Sequence, residues 1–316
     1  MNQNSEVMAN LKLSLNKLTK RIKHKDIIYI DFPLHHNVGD QLIYLGAVKL
    51  LENAGFNIVA SFSVQNYSRR KVKKILREHP NEVSIILHGG GNFGDLYGAH
   101  QNLRREVVDL FPDNNTVIFP QTVYYKDHSI LKQDELLFAK HTDLSFFVRD
   151  LRSQNAVDGF CDNVELCPDT AHMLWDEEVI KPTNLVTKNE LVLRRWDIEG
   201  DNDKKNFDWK QLLSLKSRLF KNTIFAISLI NPFAFIDRKI EQIWYRHSLA
   251  LCQYSAGFFH EYKIINTDRL HGHILACLLS KPNVVQDNSY GKNSDYINQW
   301  TKTSELVEML TRANEQ

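Results

Sequence analysis

What this 316-residue sequence lacks narrows it first. Its 39 Lys and Arg against 38 Asp and Glu leave a net charge of +1, so no global basic field draws nucleic acid. Its four cysteines, Cys161, Cys167, Cys252 and Cys277, form no C-x-x-C pair and no zinc spacing. They read as reduced, buried thiols of a cytosolic protein. No apolar run reaches the length of a membrane span. Residues 1–25 are polar and Lys-rich, without the apolar stretch of a secretory signal. Internal repeats and low-complexity tracts are also missing.

What is present suffices for a large core: 43% of residues are apolar and 10% aromatic. Short β-rich runs alternate with segments of helical period. Strands are expected over Asp26–Phe32, Asn57–Phe62, Val83–Leu87, Thr116–Phe119, Leu144–Val148, Val164–Cys167, Glu190–Leu193 and Lys263–Asn266, with a last one over Pro282–Asp287. Helices are expected between them, including Ser5–Ile22, Leu42–Asn53, Trp209–Leu219, Lys239–Tyr254, Leu270–Leu279 and a closing Ser304–Arg312. Such alternation is the mark of βαβ units on parallel sheets. The charged, turn-rich stretch Asp176–Asn189, with Pro182, reads as a domain boundary. The expected division is a leading helix over 1–25, an N-terminal domain over 26–180 and a C-terminal domain over 181–316.

The chemistry gathers at strand exits, which in parallel sheets share one edge. Asn37-x-Gly39-Asp40-Gln41 opens a helix whose N–H groups can meet an anion or hydroxyls, although an ordinary N-cap accounts for it equally well. Three consecutive glycines, Gly89–Gly91, with Asn92 after them, fit a sharp turn or a closely approaching ligand. They are not read as a Rossmann dinucleotide loop or a P-loop. Gln121 and Thr122 place an amide and a hydroxyl at a strand end. Arg149 leaves a buried strand and must pair with Asp150 or with an anionic ligand. Arg194 and Arg195, Arg269 and Lys292 repeat the theme, which points to a compact anion carrying phosphate and carboxylate. Arg269-Leu270-His271-Gly272-His273 lies at a strand-to-helix turn, where Thr267 or Asp268 can cap the helix. Histidines two apart do not share a helix face, so a metal pair is set aside; an acid–base role suits His271, and His273 is read as packing.

Together these residues resemble the polysaccharide pyruvyl transferase family. The resemblance rests on Asn37-Val-Gly-Asp40, His88-Gly-Gly-Gly-Asn92, Pro120-Gln121, Arg149-Asp150, Thr267-Asp-Arg-Leu-His-Gly272 and Asp287-Asn-Ser-Tyr-Gly-Lys292. Leu193-Arg194-Arg195 matches the family's basic strand exit, with the following acidic residue displaced to Asp197. The resemblance implies an α/β protein with two Rossmann-like, GT-B-like domains whose parallel sheets face a central cleft. It implies transfer of a pyruvyl group from phosphoenolpyruvate to two hydroxyls of a sugar, with release of phosphate and no metal or other cofactor. Arg149, Arg269 and Lys292 would hold the donor's anionic groups and His271 would move protons. Asn37, Asp40, Gly90, Gly91, Asn92, Gln121 and Arg194 would shape the acceptor side. The acceptor would be a polysaccharide precursor, free or lipid-linked, met in the cytoplasm or at the inner membrane face.

Two other readings remain open on the residues alone. A GT-B glycosyltransferase would need a carboxylate for a nucleotide ribose, for which Glu305 or Glu308 is available. A carbohydrate-binding protein of this fold would bind without turnover. The charge-free, Phe-rich stretch Asn222–Ile236 is expected to be a buried element or a dimer contact, with contact to a membrane surface as the sharper alternative.

Overall fold

The apolar runs sort into two parallel sheets. The computed structural model describes residues 3–80, 82–181, 184–195, 207–231, 233–287 and 291–310. The first sheet contains β1 (Asp26–Ile30), β2 (Asn57–Phe62), β3 (Val83–Leu87), β4 (Gly90–Gly94), β5 (Thr116–Tyr124), β6 (Leu144–Val148) and β7 (Asn163–Leu166). Its order is β2-β1-β3-β5-β6-β7, with β4 paired to the far half of β5. The second sheet holds β8 (Lys188–Leu193), β9 (Tyr262–Thr267), β10 (Asn283–Gln286) and β11 (Val307–Leu310), in the order β11-β10-β9-β8. Every pairing in both sheets is parallel. Fully buried β3 and β6 are apolar apart from Ser84 and Ser145, as strands covered on both faces should be.

Shared helices join the two halves. Val38–Asn53 is apolar on nearly every face, which marks a helix with no solvent side. Val38, Leu42 and Leu45 enter the cluster around Leu193, Ile265 and Ile274, beside the second sheet. Tyr44, Ala47 and Leu51 enter the cluster around Tyr29 and Phe119, beside the first. Each buried leucine removes enough apolar surface to contribute about 2 kcal/mol. The 27-residue helix Ala234–His260, about 40 Å long, bridges in the same way. Its Ile240 and Trp244 pack against the first sheet, and its Cys252 and Phe259 against the second. From the other end of the chain, Met8 and Leu11 of the helix Gln3–Ser14 cross to the second sheet's core.

Several local expectations are corrected. The expected closing helix Ser304–Arg312 is not formed over its described part: Val307–Leu310 is strand β11 and completes the edge beside β10 with the register Asn283↔Val307. Tertiary pairing there overrides a weak helical pattern. Trp209–Leu219 divides: Trp209–Leu212 is a 3-10 turn, and a helix, Leu215–Ile230, starts after Ser214, whose hydroxyl accepts from Ser217 N. The charge-free stretch is the junction of that helix with Ala234–His260, and Leu229, Phe233 and Phe235 within it are exposed. Thr116–Phe119 is only the first half of β5. The strand continues because Phe119-Pro120 sits at a register shift between Ile118 and Gln121, where proline's missing donor costs nothing.

Candidate functional site

The exits of β1, β9 and β10, together with β4, converge on one cavity of about 420 Å³ between the halves. From the first half come His35, Asn37 and Asp40, then Gly91 and Asn92, then Tyr97 and His100. From the second half come Arg195, Trp209 and Lys210, the run Arg269, Leu270 and His271, and Lys292. Three helices begin at this wall, Val38–Asn53, Leu270–Leu278 and Lys292–Trp300, and their positive ends add to the side-chain cations. Against Arg195, Lys210, Arg269 and Lys292 the lining supplies, among the described residues, a single carboxylate, Asp40. The lining is therefore strongly positive.

Local chemistry sets each element. Asn37 Oδ1 accepts from Gly39 N at 3.1 Å and caps its helix. Gly39 lets the walls touch: a Cβ there would lie 2.6 Å from His271 Nδ1. Gly90 takes φ 136°, which an L side chain rarely adopts, and Gly91 lies so close to Lys292 that a Cβ would meet Nζ at 2.3 Å. The spacing Gly89-x-Gly91-x-x-Gly94 does match a dinucleotide loop, but β4 runs through it and no helix begins before Gly98. The structural context of that loop is therefore missing.

His271 sits at the first turn of Leu270–Leu278, with Nε2 3.1 Å from Asp169 Oδ2. Facing a carboxylate, Nε2 is the donor of this pair, and Nδ1 lies on the side of Gly39. Asp169 is buried, and its other oxygen accepts from Ala171 N at 2.9 Å. Burial alone would raise its carboxyl, yet His271 and Arg149 hold it well below the usual range. Thr267 Oγ1 accepts from Arg269 N at 3.0 Å at the helix start. Asp268, expected as a possible cap, instead accepts from Arg195 N at 3.1 Å, and burial lifts its carboxyl. Asp208 accepts from Arg269 Nη2 and fixes the guanidinium at the wall. Asp287 accepts from Asn293 N at the start of Lys292–Trp300.

The structure thus brings together Asn37, Asp40, Gly91, Asn92, Arg269, His271 and Lys292. It separates four others from the cavity surface, the first being Gly90, which is buried and does not line it. Arg149 is fully buried; Nη1 donates to Asp169, and Nη2 donates to Thr122 Oγ1 at 2.8 Å. Gln121 is buried in mid-strand and donates to His88 O at 2.7 Å. Arg194 turns away to Asn266 Oδ1 at 2.7 Å, while its neighbour Arg195 faces the cavity. His273 lies in the core between Asn283 Oδ1 at 2.7 Å and Thr301 Oγ1 at 2.9 Å, and burial lowers it to about 4. Asp197 and Tyr290 fall outside the described residues.

Sequence reasoning missed Trp209, Lys210, Tyr97 and His100, which carry no local signal. It also missed a buried support under the first wall. Asp31, at φ 73°, takes His100 Nδ1 at 2.9 Å and Arg104 Nη2 at 3.3 Å. Burial opposes ionisation of Asp31, but His100 and Arg104 pull its carboxyl below the ordinary range. An aspartate just after an apolar strand was the available hint.

Comparison with known proteins identifies the family. Residues 37–290 match the family described as Polysaccharide pyruvyl transferase. EpsO of Bacillus subtilis, provisionally named a pyruvyl transferase, is 32% identical over 316 residues, 97% of this chain and 95% of its own. Pyruvyl transferase 1 of Schizosaccharomyces pombe is 32% identical over 310 residues, 92% of this chain and 75% of its own. A crystal structure of a functionally uncharacterized Klebsiella pneumoniae protein superposes with a TM-score of 0.64 at 21% identity, over 96% of this chain and 99% of that one, a likeness of fold alone. With a cation-lined cavity built around Arg269, His271 and Lys292, and with a family match spanning most of its length, this chain belongs to the polysaccharide pyruvyl transferase family.

Proposed function

We propose that the protein transfers the pyruvyl group of phosphoenolpyruvate to two hydroxyls of a sugar in a polysaccharide or lipid-linked precursor. The two sheets act as Rossmann-like halves arranged in the GT-B manner, with the reaction in the cleft between them. One observation carries the reading: four cations, a carboxylate-held histidine and three helix N-termini line one cavity. Phosphoenolpyruvate presents a phosphate and a carboxylate on one small frame, and Arg269 and Lys292 hold them, joined by Arg195 and Lys210. Arg149 supports the site from beneath through Asp169.

A proton reaches the donor's methylene carbon, C2 gains oxocarbenium character, and the first sugar hydroxyl bonds to it. The second hydroxyl then bonds to C2 as the C–O bond to phosphate breaks. One hydroxyl proton balances the new methyl group, and the other leaves with phosphate. His271 Nδ1 exchanges these protons, with Asp169 holding the opposite edge of the ring. Neither metal nor other cofactor takes part. Asn37, Asp40 and Asn92, across the cleft, orient the acceptor hydroxyls. A lipid-linked acceptor would bring the protein to the inner face of the cell membrane. The nucleotide-sugar alternative is weaker, since Glu305 and Glu308 lie away from the cavity lining.

The test is phosphate release from phosphoenolpyruvate, screened against galactosyl, glucosyl and mannosyl acceptors. Release that depends on a sugar supports the reading. Thermal stabilisation by a nucleoside diphosphate, with none from phosphoenolpyruvate, would replace it with glycosyl transfer.

A further inference from the structure

The hairpin of Leu215–Ile230 and Ala234–His260 exposes apolar side chains that neither core uses. Leu215 and Leu219 are 72% and 59% exposed, and Leu229, Phe233 and Phe235 at the turn are 56%, 54% and 61% exposed. Leu215, Leu219 and Leu229 fall on one side of their helix, opposite buried Ile224 and Ser228. That helix contains no acidic residue and begins with Lys216, Arg218 and Lys221.

Beside the turn stands a second helix, Arg69–Glu78, whose only buried residue is Val72. It exposes Arg69, Arg70, Lys73, Lys74 and Arg77. The two pieces are held together from within. Lys71 Nζ donates to Asn231 O at 2.8 Å and to the buried carboxylate of Asp237, which also accepts from Asn66 Nδ2 at 3.1 Å and Asn231 Nδ2 at 2.9 Å. Arg70 and Leu229 line the same groove of about 360 Å³. A fixed apolar tip thus stands against a dense row of cations.

We infer that this tip and the Arg69–Glu78 helix dock the protein onto an anionic bilayer surface, with Leu229, Phe233 and Phe235 entering the acyl boundary and Arg70, Lys73 and Lys74 meeting lipid phosphates. Charge decides for a bilayer over a second copy of the chain. Two copies meeting at this face would set basic helix against basic helix, whereas an anionic surface neutralises both the helix and the rim. Among the described residues no helix is long and apolar enough to cross a membrane, so the contact is peripheral. The inference does not depend on the chemistry in the cleft, and none of these residues lines it.

The experiment is co-sedimentation of the full chain with phosphatidylcholine vesicles and with vesicles containing about one-third phosphatidylglycerol. Binding to the anionic vesicles should be at least about tenfold tighter and should fall in high salt. The triple change Leu229→Ser, Phe233→Ser, Phe235→Ser and, separately, Arg70→Glu, Lys73→Glu, Lys74→Glu should each weaken it at least about tenfold, with an unchanged melting temperature. Should either set misfold, Phe235→Trp provides an independent reading: the emission of the new indole should shift to the blue on anionic vesicles and be quenched by brominated lipid. Equal binding to both vesicle types, or an indole emission in the Phe235→Trp protein that is indifferent to vesicles, overturns the inference. So does a wild-type dimer in light scattering that the serine changes split without altering vesicle binding, which would make the tip a contact between copies.

Discussion

The two walls of the cleft differ in kind. The wall from the first half is mostly neutral: Asn37, Gly91, Asn92 and Tyr97 with one carboxylate, Asp40, resting on the buried Asp31–Arg104 pair. The opposite wall carries Arg195, Lys210, Arg269 and Lys292. The cations are therefore segregated, and so is the work. Under the proposed function, the donor's two anionic groups would meet the second wall and the acceptor's hydroxyls the first. Charge stays near zero over the whole chain because the basic wall is offset elsewhere, which is why composition gave no hint of an anion site.

The contrast can be broken most severely at His271, where proton transfer is proposed. His271→Ala should lower kcat/KM for acceptor-dependent phosphate release by about 10³-fold, and full activity would remove it from the chemistry. Next comes the point where the walls meet. In Gly39→Ala the new methyl would press on the His271 ring, and activity should fall about 10²-fold. The melting temperature should fall as well, since overpacking of this kind costs about 1–3 kcal/mol. An active Gly39→Ala protein would mean that the walls stand further apart. The basic wall can be sharpened with neighbours: Arg195→Ala should raise KM for phosphoenolpyruvate about tenfold, while Arg194→Ala should change it less than about twofold. Equal effects would show that strand-end orientation does not select between them.

The last test concerns stability and pH rather than activity. Burial lowers His88 to about 4, His172 to about 3 and His273 to about 4, so all three are neutral in the folded protein at pH 6. The unfolded chain protonates them near 6.5, so it binds more protons between pH 6.5 and 4. Their stabilising contribution is complete above about 6.5 and is lost as pH falls through that window, at about 1 kcal/mol per histidine per unit. Asp31 and Asp169, with lowered carboxyls, act only below about 4. Urea midpoints at pH 7, 6 and 5 should fall in that order, and a flat series would contradict the burial of these rings.

Much of this was legible locally. The bounds of β3 and β6 are those of the largely apolar runs themselves, because strands covered on both faces need no partner to announce them. Arg269-Leu270-His271 was legible because a β-branched run, a threonine and then helical spacing can only place those side chains at a strand exit. Arg149 shows the limit. From the sequence it is an arginine leaving a buried strand and equally fit for ligand or partner; only the arrival of Asp169, from after β7, decides for the partner. Val307–Leu310 failed similarly, since four residues of mixed pattern become a strand only when an edge is there to receive them.

Sequence alone determined the parallel α/β alternation, the residue types at the strand exits and the family to which those exits belong, since all are properties of short windows. Tertiary structure decided which cations face the cleft: Arg195 rather than Arg194, and Lys210 from a turn with no motif at all. It also put Asp169 behind His271 and set Gly39 against its ring. Those outcomes depend on how two sheets are brought together by helices that pack on both, and packing between residues more than a hundred positions apart leaves no trace in either neighbourhood.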